Sequence, residues 1–360
     1  MKRVSVIIPA YNADNFIAES VTSALNQTYP DVEIIVVNDG STDNTEKSLA
    51  PFMDRIIYIK KENGGPASAR NIAIKRSTGE YICFLDADDI FLPHKLESQV
   101  DFMEKNPECG LVFADASIIG EKETIKRESL LGGLPVYQGH VFRHLFINNF
   151  IITLTVMIRR EVLDKCGLFD ESLSVCSDYE LWLRIAMDYQ IRYLNETLSI
   201  YRIHSTNISS DVKKVIEHHF IILEKFKRDF PSLEKKYPGI FEEKYAFTKN
   251  RLGFYYFEKR EFRRAKREFI GTIKTGRRVG KALLGYVSSL LRFPALYNLS
   301  KLAIELFLKG SYLAQEGNFG PARVCYLKSI IVFPFYYKPY FFLFYTFFKK
   351  RFKKKFTIEG

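Results

Sequence analysis

Residues 81–94 read YICFLDADDIFLPH: an unbroken apolar run, three aspartates within four positions (Asp86, Asp88 and Asp89), then apolar residues again. A short run that is apolar on both faces is the strand of a parallel sheet covered by helices on both sides. Toward the N-terminus the pattern recurs as VSVII (4–8), VEIIVV (32–37) and IIYI (56–59). Between the first two, Phe16, Ile17, Val21, Ala24 and Leu25 recur at helical intervals, with Asn12 or Asp14 as the expected cap. Strands alternating with helices predict an α/β fold with a mostly parallel sheet and helices on both faces. Ligands of such sheets lie beyond the carboxyl ends of the strands. Four polar clusters stand there: PAYN, NDGSTDN, ENGGPASARN and DADD.

Each cluster also has a plain structural use. NDGSTDN is equally a turn that leads into a helix cap. GGPASARN lacks both the GxGxxG pattern and the Lys-Ser/Thr of a P-loop. DADD is different, because three close carboxylates repel one another and a surface turn has no need of them. A hard divalent cation, Mg²⁺ or Mn²⁺, removes the repulsion. An EF-hand loop starting at Asp86 would need an oxygen ligand and a glycine where Ile90 and Phe91 stand. The cation is therefore expected to be shared with a phosphate-bearing substrate.

Composition narrows the classes. A chain of 360 residues, 47% hydrophobic, is ordered and large enough for two or three units. Residues 211–360 carry 32 Lys+Arg against 13 Asp+Glu, a net +19 that leaves −8 of the total +11 for residues 1–210. The first part suits cations and the second anions. Five cysteines without CxxC spacing indicate neither a disulfide framework nor a thiolate zinc site, and an intracellular protein is expected. Nucleic acid is not expected as a partner: the positive charge lies away from the sheet's ligand edge, and no recognised nucleic-acid motif is present.

The clusters in order, VSVIIPAYN, VNDGSTDNT, NGGPASARN and FLDADDIFLP, followed by VMIRREVLDKCGLFDE, SDYELWLRI and YRIHSTNIS, resemble family 2 of the glycosyltransferases, inverting enzymes of GT-A type fold. The resemblance covers residues 3 to about 209. It implies a domain at 1–210, with a nucleotide-sugar-binding half (1–115) and an acceptor-binding half (116–210). It implies that Asp39 accepts a hydrogen bond from the base, usually uracil, that Pro9 and Tyr11 flank the base, and that Arg70 and Asn71 hold the nucleotide and its loop. Asp86, Ala87 and Asp88 form the Asp-x-Asp signature, with Asp88 as metal ligand and Asp86 near the ribose or the metal's waters. His204 is placed near the diphosphate or metal; the alternative is a structural histidine. By motif position Asp178 is the base that takes the proton from an acceptor hydroxyl. A structural reading is compatible with that role: Ser177 and Glu180 have capping-box spacing, which puts Asp178 in the first helical turn. Two departures stand out, Ser177 where many relatives carry Glu, and Ala73 where many carry Gly.

Beyond residue 210 the sequence becomes helical, basic and aromatic, and it repeats. Gly253, Phe262, Ala265, Phe269 and Ile273 recur 57 residues on as Gly310, Phe319, Ala322, Tyr326 and Ile330. Residues 211–328 thus resemble tetratricopeptide helix pairs, with a longer period than usual. The tail, 329–360, joins an aromatic run (329–348) interrupted by Pro334, Lys338 and Pro339 to the basic run KKRFKKK (349–355). It is expected at an anionic membrane interface, with a buried helix or a true span as alternatives. The expectation for the whole is a metal-dependent transferase on the cytoplasmic face of the cell membrane, moving sugar from a nucleotide-diphosphate donor to a glycan or lipid-linked acceptor. A membrane-associated scaffold with a silent first domain is the alternative.

Overall fold

The computed structural model describes residues 1–120, 124–132, 136–204, 207, 210–278 and 319–332, with part of 282–314. The apolar runs form β1 (Val4–Ala10), β2 (Val32–Asp39), β3 (Ile57–Lys61) and β4 (Tyr81–Phe84). They lie side by side in the order β3-β2-β1-β4, all parallel. The connections carry α1 (Ile17–Leu25), α2 (Thr45–Leu49) and α3 (Gly65–Arg76). One face of the sheet, with Val4, Val6, Ile8, Ile34 and Val36, buries its side chains with Ile17, Val21 and Ala24 of α1. Removing that apolar area from water is the main force holding this half together.

The sheet then changes character. After β5 (Ile90–Phe91) and α4 (Lys95–Lys105) come β6 (Cys109–Gly120), β7 (Ile125–Arg127), α5 (Phe142–Ile147), β8 (Val156–Arg159), α6 (Arg160–Cys166), α7 (Ser177–Asp188) and β9 (Gln190–Ile203). β8 joins β4 antiparallel, β6 joins β8 antiparallel, and β9 runs parallel to β6. β5 closes the order at the far side of β9, and β7 pairs with β6. The fold is α/β of GT-A type, parallel in its first half and mixed in its second.

The chain divides into two compact units, Met1–Leu130 with Val136–Thr248, and Leu131–Pro135 with Lys249–Gly360. Residues 211–248, grouped by composition with the basic region, pack within the first unit. There α8 (Val212–Asp229) is followed by α9 (Leu233–Lys236) and the start of α10 (Ile240–Glu258), whose residues from Lys249 on belong to the second unit. Phe226 of α8 packs on Phe142 and Phe146 of α5, and Phe146 meets Phe241 edge-on.

In the second unit, α11 (Phe262–Lys274) and α12 (Phe319–Val332) carry the repeated residues other than Gly253 and Gly310. Gly253 lies against Phe269, where an added Cβ would meet ring carbons at 2.7 Å, and Gly310 lies against Tyr326 at the same 2.7 Å. Ala265 with Phe269, and Ala322 with Tyr326, form the matching small cores. The 57-residue offset thus repeats a contact, with glycine letting an aromatic ring approach the helix backbone. Among the described residues no helix is long and apolar enough to cross a membrane. From residue 333 on, the aromatic run and the basic run 349–355 lie outside the described residues.

Two local expectations are corrected. Neither Asn12 nor Asp14 caps α1, whose N-cap is Phe16 without a side-chain hydrogen bond. Asn12 adopts a left-handed φ of 49° and accepts the Thr42 N–H, so it ties the β1 loop to the β2 loop. Ser177 and Glu180 form no capping box, because α7 starts from Cys176 without a side-chain cap, and Glu180 binds Arg184 and Lys225 instead.

Candidate active site

The polar clusters gather beyond the carboxyl ends of β1 to β4, where the parallel strands release the chain. At the end of β2, Asp39 is 3% exposed. Its Oδ1 accepts from Lys61 Nζ (2.5 Å) and the Gly64 N–H (2.9 Å), and its Oδ2 accepts from the Gly65 N–H (2.8 Å). Lys61 is the register partner of Asp39 on β3. One carboxylate therefore pins the glycine loop and the first turn of α3 to the sheet. Gly40 adopts φ +76°, and a Cβ there would fall 2.7 Å from the Asn63 nitrogen, so the turn needs glycine. Pro9 pairs in register with Val37 at the end of β1, and Tyr11 just beyond it is 51% exposed.

The three aspartates of the opening stretch have different surroundings. Asp86 takes the guanidinium of Arg70 from α3 at 2.5 Å. Asp88 Oδ2 accepts from His204 Nε2 at 2.7 Å and from Asn207 at 3.3 Å. Burial and then the neighbouring Asp86 charge push the Asp88 carboxyl above its usual range, against the pull of His204. Asp89 is buried and accepts the Arg202 N–H at 2.8 Å; burial, Asp88 and Asp86 push its carboxyl well up. The Asp89 contact fastens the loop to β9, which leaves Asp86 and Asp88 as the pair available to a ligand. From α1, Ser20 holds the carbonyls of Ala87 (2.8 Å) and Asp89 (2.7 Å). His204 and Arg202 both pack on Phe16, with ring centroids 5.0 Å apart for the former and the guanidinium 5.1 Å from the ring for the latter.

Asn71 faces elsewhere. Its side chain donates to the Phe169 carbonyl and Glu171 and accepts the Phe169 N–H, so it ties α3 to the loop before α7. Arg70 lies 5.6 Å from the Phe169 ring, which meets the Trp182 ring of α7 at 6.1 Å. Asp86 is thus linked through Arg70 and Phe169 to the helix that carries Asp178. In the first turn of that helix, Asp178 accepts from Thr153 Oγ1 (2.6 Å) and from the following N–H of Tyr179 (2.8 Å). Both contacts orient the carboxylate while leaving lone pairs open.

Residue reading alone does not reveal Lys61, Thr153, Arg202 or Asn207. Lys61 becomes visible once the β2–β3 register is known, and Arg202 shares a strand face with His204 two positions on. Among the described residues no three His, Cys, Asp or Glu side chains converge on a metal-sized site. Asp86, Asp88 and His204 fit a divalent cation only as part of a shell. Two adjacent carboxylates, one held high by burial and then by the other's charge, are a donor set that a cation with further oxygen ligands would relieve.

The family model described as Glycosyl transferase family 2 matches residues 5–167. The Escherichia coli protein named UDP-Glc:alpha-D-GlcNAc-diphosphoundecaprenol beta-1,3-glucosyltransferase WfgD is 36% identical over 227 residues, covering 62% of this chain and 86% of that one. An uncharacterized glycosyltransferase of Rickettsia conorii is 37% identical over 223 residues, 60% of this chain, and the match spans 36% of that longer protein. In fold, the chain is similar to S. aureus TarS 1-349 in complex with UDP-GlcNAc, with a TM-score of 0.53 at 16% identity and 93% of both chains covered. It is similar also to the mannosyltransferase PcManGT of Pyrobaculum calidifontis in complex with GDP-Man and Mn2+, with a TM-score of 0.53 at 18% identity over 91% of this chain and 87% of that one.

Proposed function

The chain belongs to glycosyl transferase family 2, and from that premise we propose that it moves a sugar from a UDP-sugar to a glycan or lipid-linked acceptor with inversion at the anomeric carbon. The observation that carries this reading is the division of the DADD aspartates, Asp86 to Arg70 and Asp88 to His204, beside the Asp39 loop. The base of the nucleotide lies against Pro9 and Tyr11 and donates to Asp39, while Arg70, Asp86 and Ala87 shape the ribose and diphosphate side and Asn71 holds the neighbouring loop at Phe169 and Glu171. The TarS complex with UDP-GlcNAc and the donor in the name of WfgD support a uridine nucleotide. A bound Mn²⁺ or Mg²⁺, held by Asp88 with Asp86 and His204, would supply Lewis-acid stabilisation of the departing diphosphate; the PcManGT complex with Mn2+ supports this.

The acceptor hydroxyl attacks the anomeric carbon from the face opposite the diphosphate. Its oxygen forms the new glycosidic bond as the bond from carbon to phosphate oxygen breaks, and that electron pair leaves on UDP. Asp178 takes the hydroxyl proton, with its carboxylate aimed by Thr153 and the Tyr179 N–H. The basic run 349–355 of the sequence supports a position at an anionic membrane surface, on the cytoplasmic face. The test pairs UDP-glucose, then other UDP-sugars, with an N-acetylglucosaminyl diphospholipid in the presence of Mn²⁺. Asp178→Asn should bind UDP normally in calorimetry and lose roughly two to four powers of ten in transfer. Transfer near the parent rate would remove Asp178 from the mechanism.

A further inference from the structure

We infer that helices α8 and α10 aim the base: Lys225 and Lys244 are positioning residues that hold the first turn of α7, and through it the Asp178 carboxylate. This rests on the assignment of Asp178 made above. Three consecutive residues of that turn have separate partners. Asp178 is held by Thr153, whereas Tyr179 and Glu180 have no exposed surface and are gripped from the helices that follow the sheet.

The grip on Tyr179 is made by Lys244, which is itself fully buried. Its ammonium donates to the Tyr179 hydroxyl (3.0 Å), to His219 Nδ1 (3.0 Å) and to the Ile147 carbonyl (3.3 Å). It also sits 4.9 Å from the Tyr179 ring, which stacks on His219 at 4.9 Å. The Tyr179 hydroxyl in turn donates to the Phe146 carbonyl of α5 at 2.6 Å. Burying an ammonium among such groups is costly, and an apolar residue of the same length would fill the space without that cost. Lys244 therefore has a role other than filling the core.

The grip on Glu180 is made by Lys225 of α8, at 2.8 Å, opposite Arg184 of α7 itself. Lys225 also pairs with Asp170, in the loop that Asn71 ties to α3. The turn so held begins at Cys176, which has a left-handed φ of 62°, a conformation uncommon for a residue with a side chain.

The experiment measures transfer from UDP-glucose to an N-acetylglucosaminyl diphospholipid by Lys244→Met and Lys225→Met, each alone and combined with Asp178→Asn. Displacement of the base should lower kcat about ten- to a hundredfold, with donor KM and the calorimetric affinity for UDP unchanged. Lys225→Arg, which can still reach both Glu180 and Asp170, should restore kcat. Because the lysines act through Asp178, Lys244→Met should change the residual rate of Asp178→Asn by no more than about twofold. Equal fold losses in both backgrounds would show a general structural role and overturn the proposal, as would a parent-like kcat for both lysine variants. If Lys244→Met does not fold, Tyr179→Phe removes only the hydroxyl shared by Lys244 and Phe146 and carries the same cycle. Should Asp178→Asn alone transfer at the parent rate, the base assignment fails and takes this inference with it; if only the lysine variants are parent-like, the base stands and the brace falls.

Discussion

Asp39 and Lys61 should prove energetically coupled, and the coupling should reach the nucleotide. Asp39→Asn preserves shape and leaves one oxygen to accept from Lys61 and Gly64, but it sets an amide NH₂ against the Gly65 N–H. Weakening a charge-assisted hydrogen bond costs about 1.5–3 kcal/mol, and stranding a buried donor adds about 1–3 kcal/mol. A loss of about 3–5 kcal/mol is expected. Lys61→Met leaves Asp39 its two backbone donors. Because the lysine side chain is 17% exposed and the aspartate 4%, about 1.5–3 kcal/mol is expected there. The double variant should cost less than the sum by about 1–2 kcal/mol. Trp182 is the single tryptophan and is fully buried in the same unit, so its fluorescence in urea follows the unfolding of that unit. The coupling should persist in 1 M salt, since a buried pair is poorly screened. UDP affinity should fall more for Asp39→Asn than for Lys61→Met. A coupling within the additivity error of about 0.3–0.5 kcal/mol, or unchanged UDP affinity in Asp39→Asn, would refute the reasoning.

Asp88→Ala should bind UDP weakly and lose the enhancement that Mn²⁺ gives the parent; equal metal-dependent binding in calorimetry would exclude Asp88 as a ligand. Burial raises the Asp170 carboxyl, but hydrogen bonds from Lys225 and Ser172 outweigh it and hold the group at about 2. A depressed carboxyl stabilises the fold above its ordinary value of about 3.9 and loses that contribution as pH falls toward 2. The parent should therefore exceed Asp170→Asn by about 1–2 kcal/mol at pH 5, after discounting for solvent screening, and the difference should close between pH 4 and pH 2; a gap undiminished at pH 2.5 would contradict this. Gly253→Ala places a Cβ 2.7 Å from the buried Phe269 ring and should destabilise by about 1–2 kcal/mol. In a Phe269→Leu background the same change should stabilise by about 0.5–1 kcal/mol through helix propensity, and thermal unfolding that shows no reversal of sign would deny the close approach.

The parts of this fold visible in the sequence are those set by contacts near in the chain or by period. The four apolar runs became β1 to β4 because strands buried on both faces must be apolar throughout. The 57-residue offset identified a repeated contact because a glycine and an aromatic ring that meet must both recur. What stayed hidden depends on partners far along the chain. Ser177 and Glu180 have capping-box spacing, yet Glu180 turns to Lys225, a residue 45 positions on, and a fully buried carboxylate gains more from two cations than from one backbone N–H. Asn12 likewise serves Thr42 rather than its own helix. The strand β9 gives no comparable signal, because its exposed middle interrupts the apolar pattern. Lys244 is the clearest case. In FEEKYAF it reads as one more charge on a basic helix, yet it is buried against Tyr179, 65 residues earlier. Net charge marked residues 211–360 as a surface for anions, but it could not distinguish lysines that face solvent from the two that hold α7.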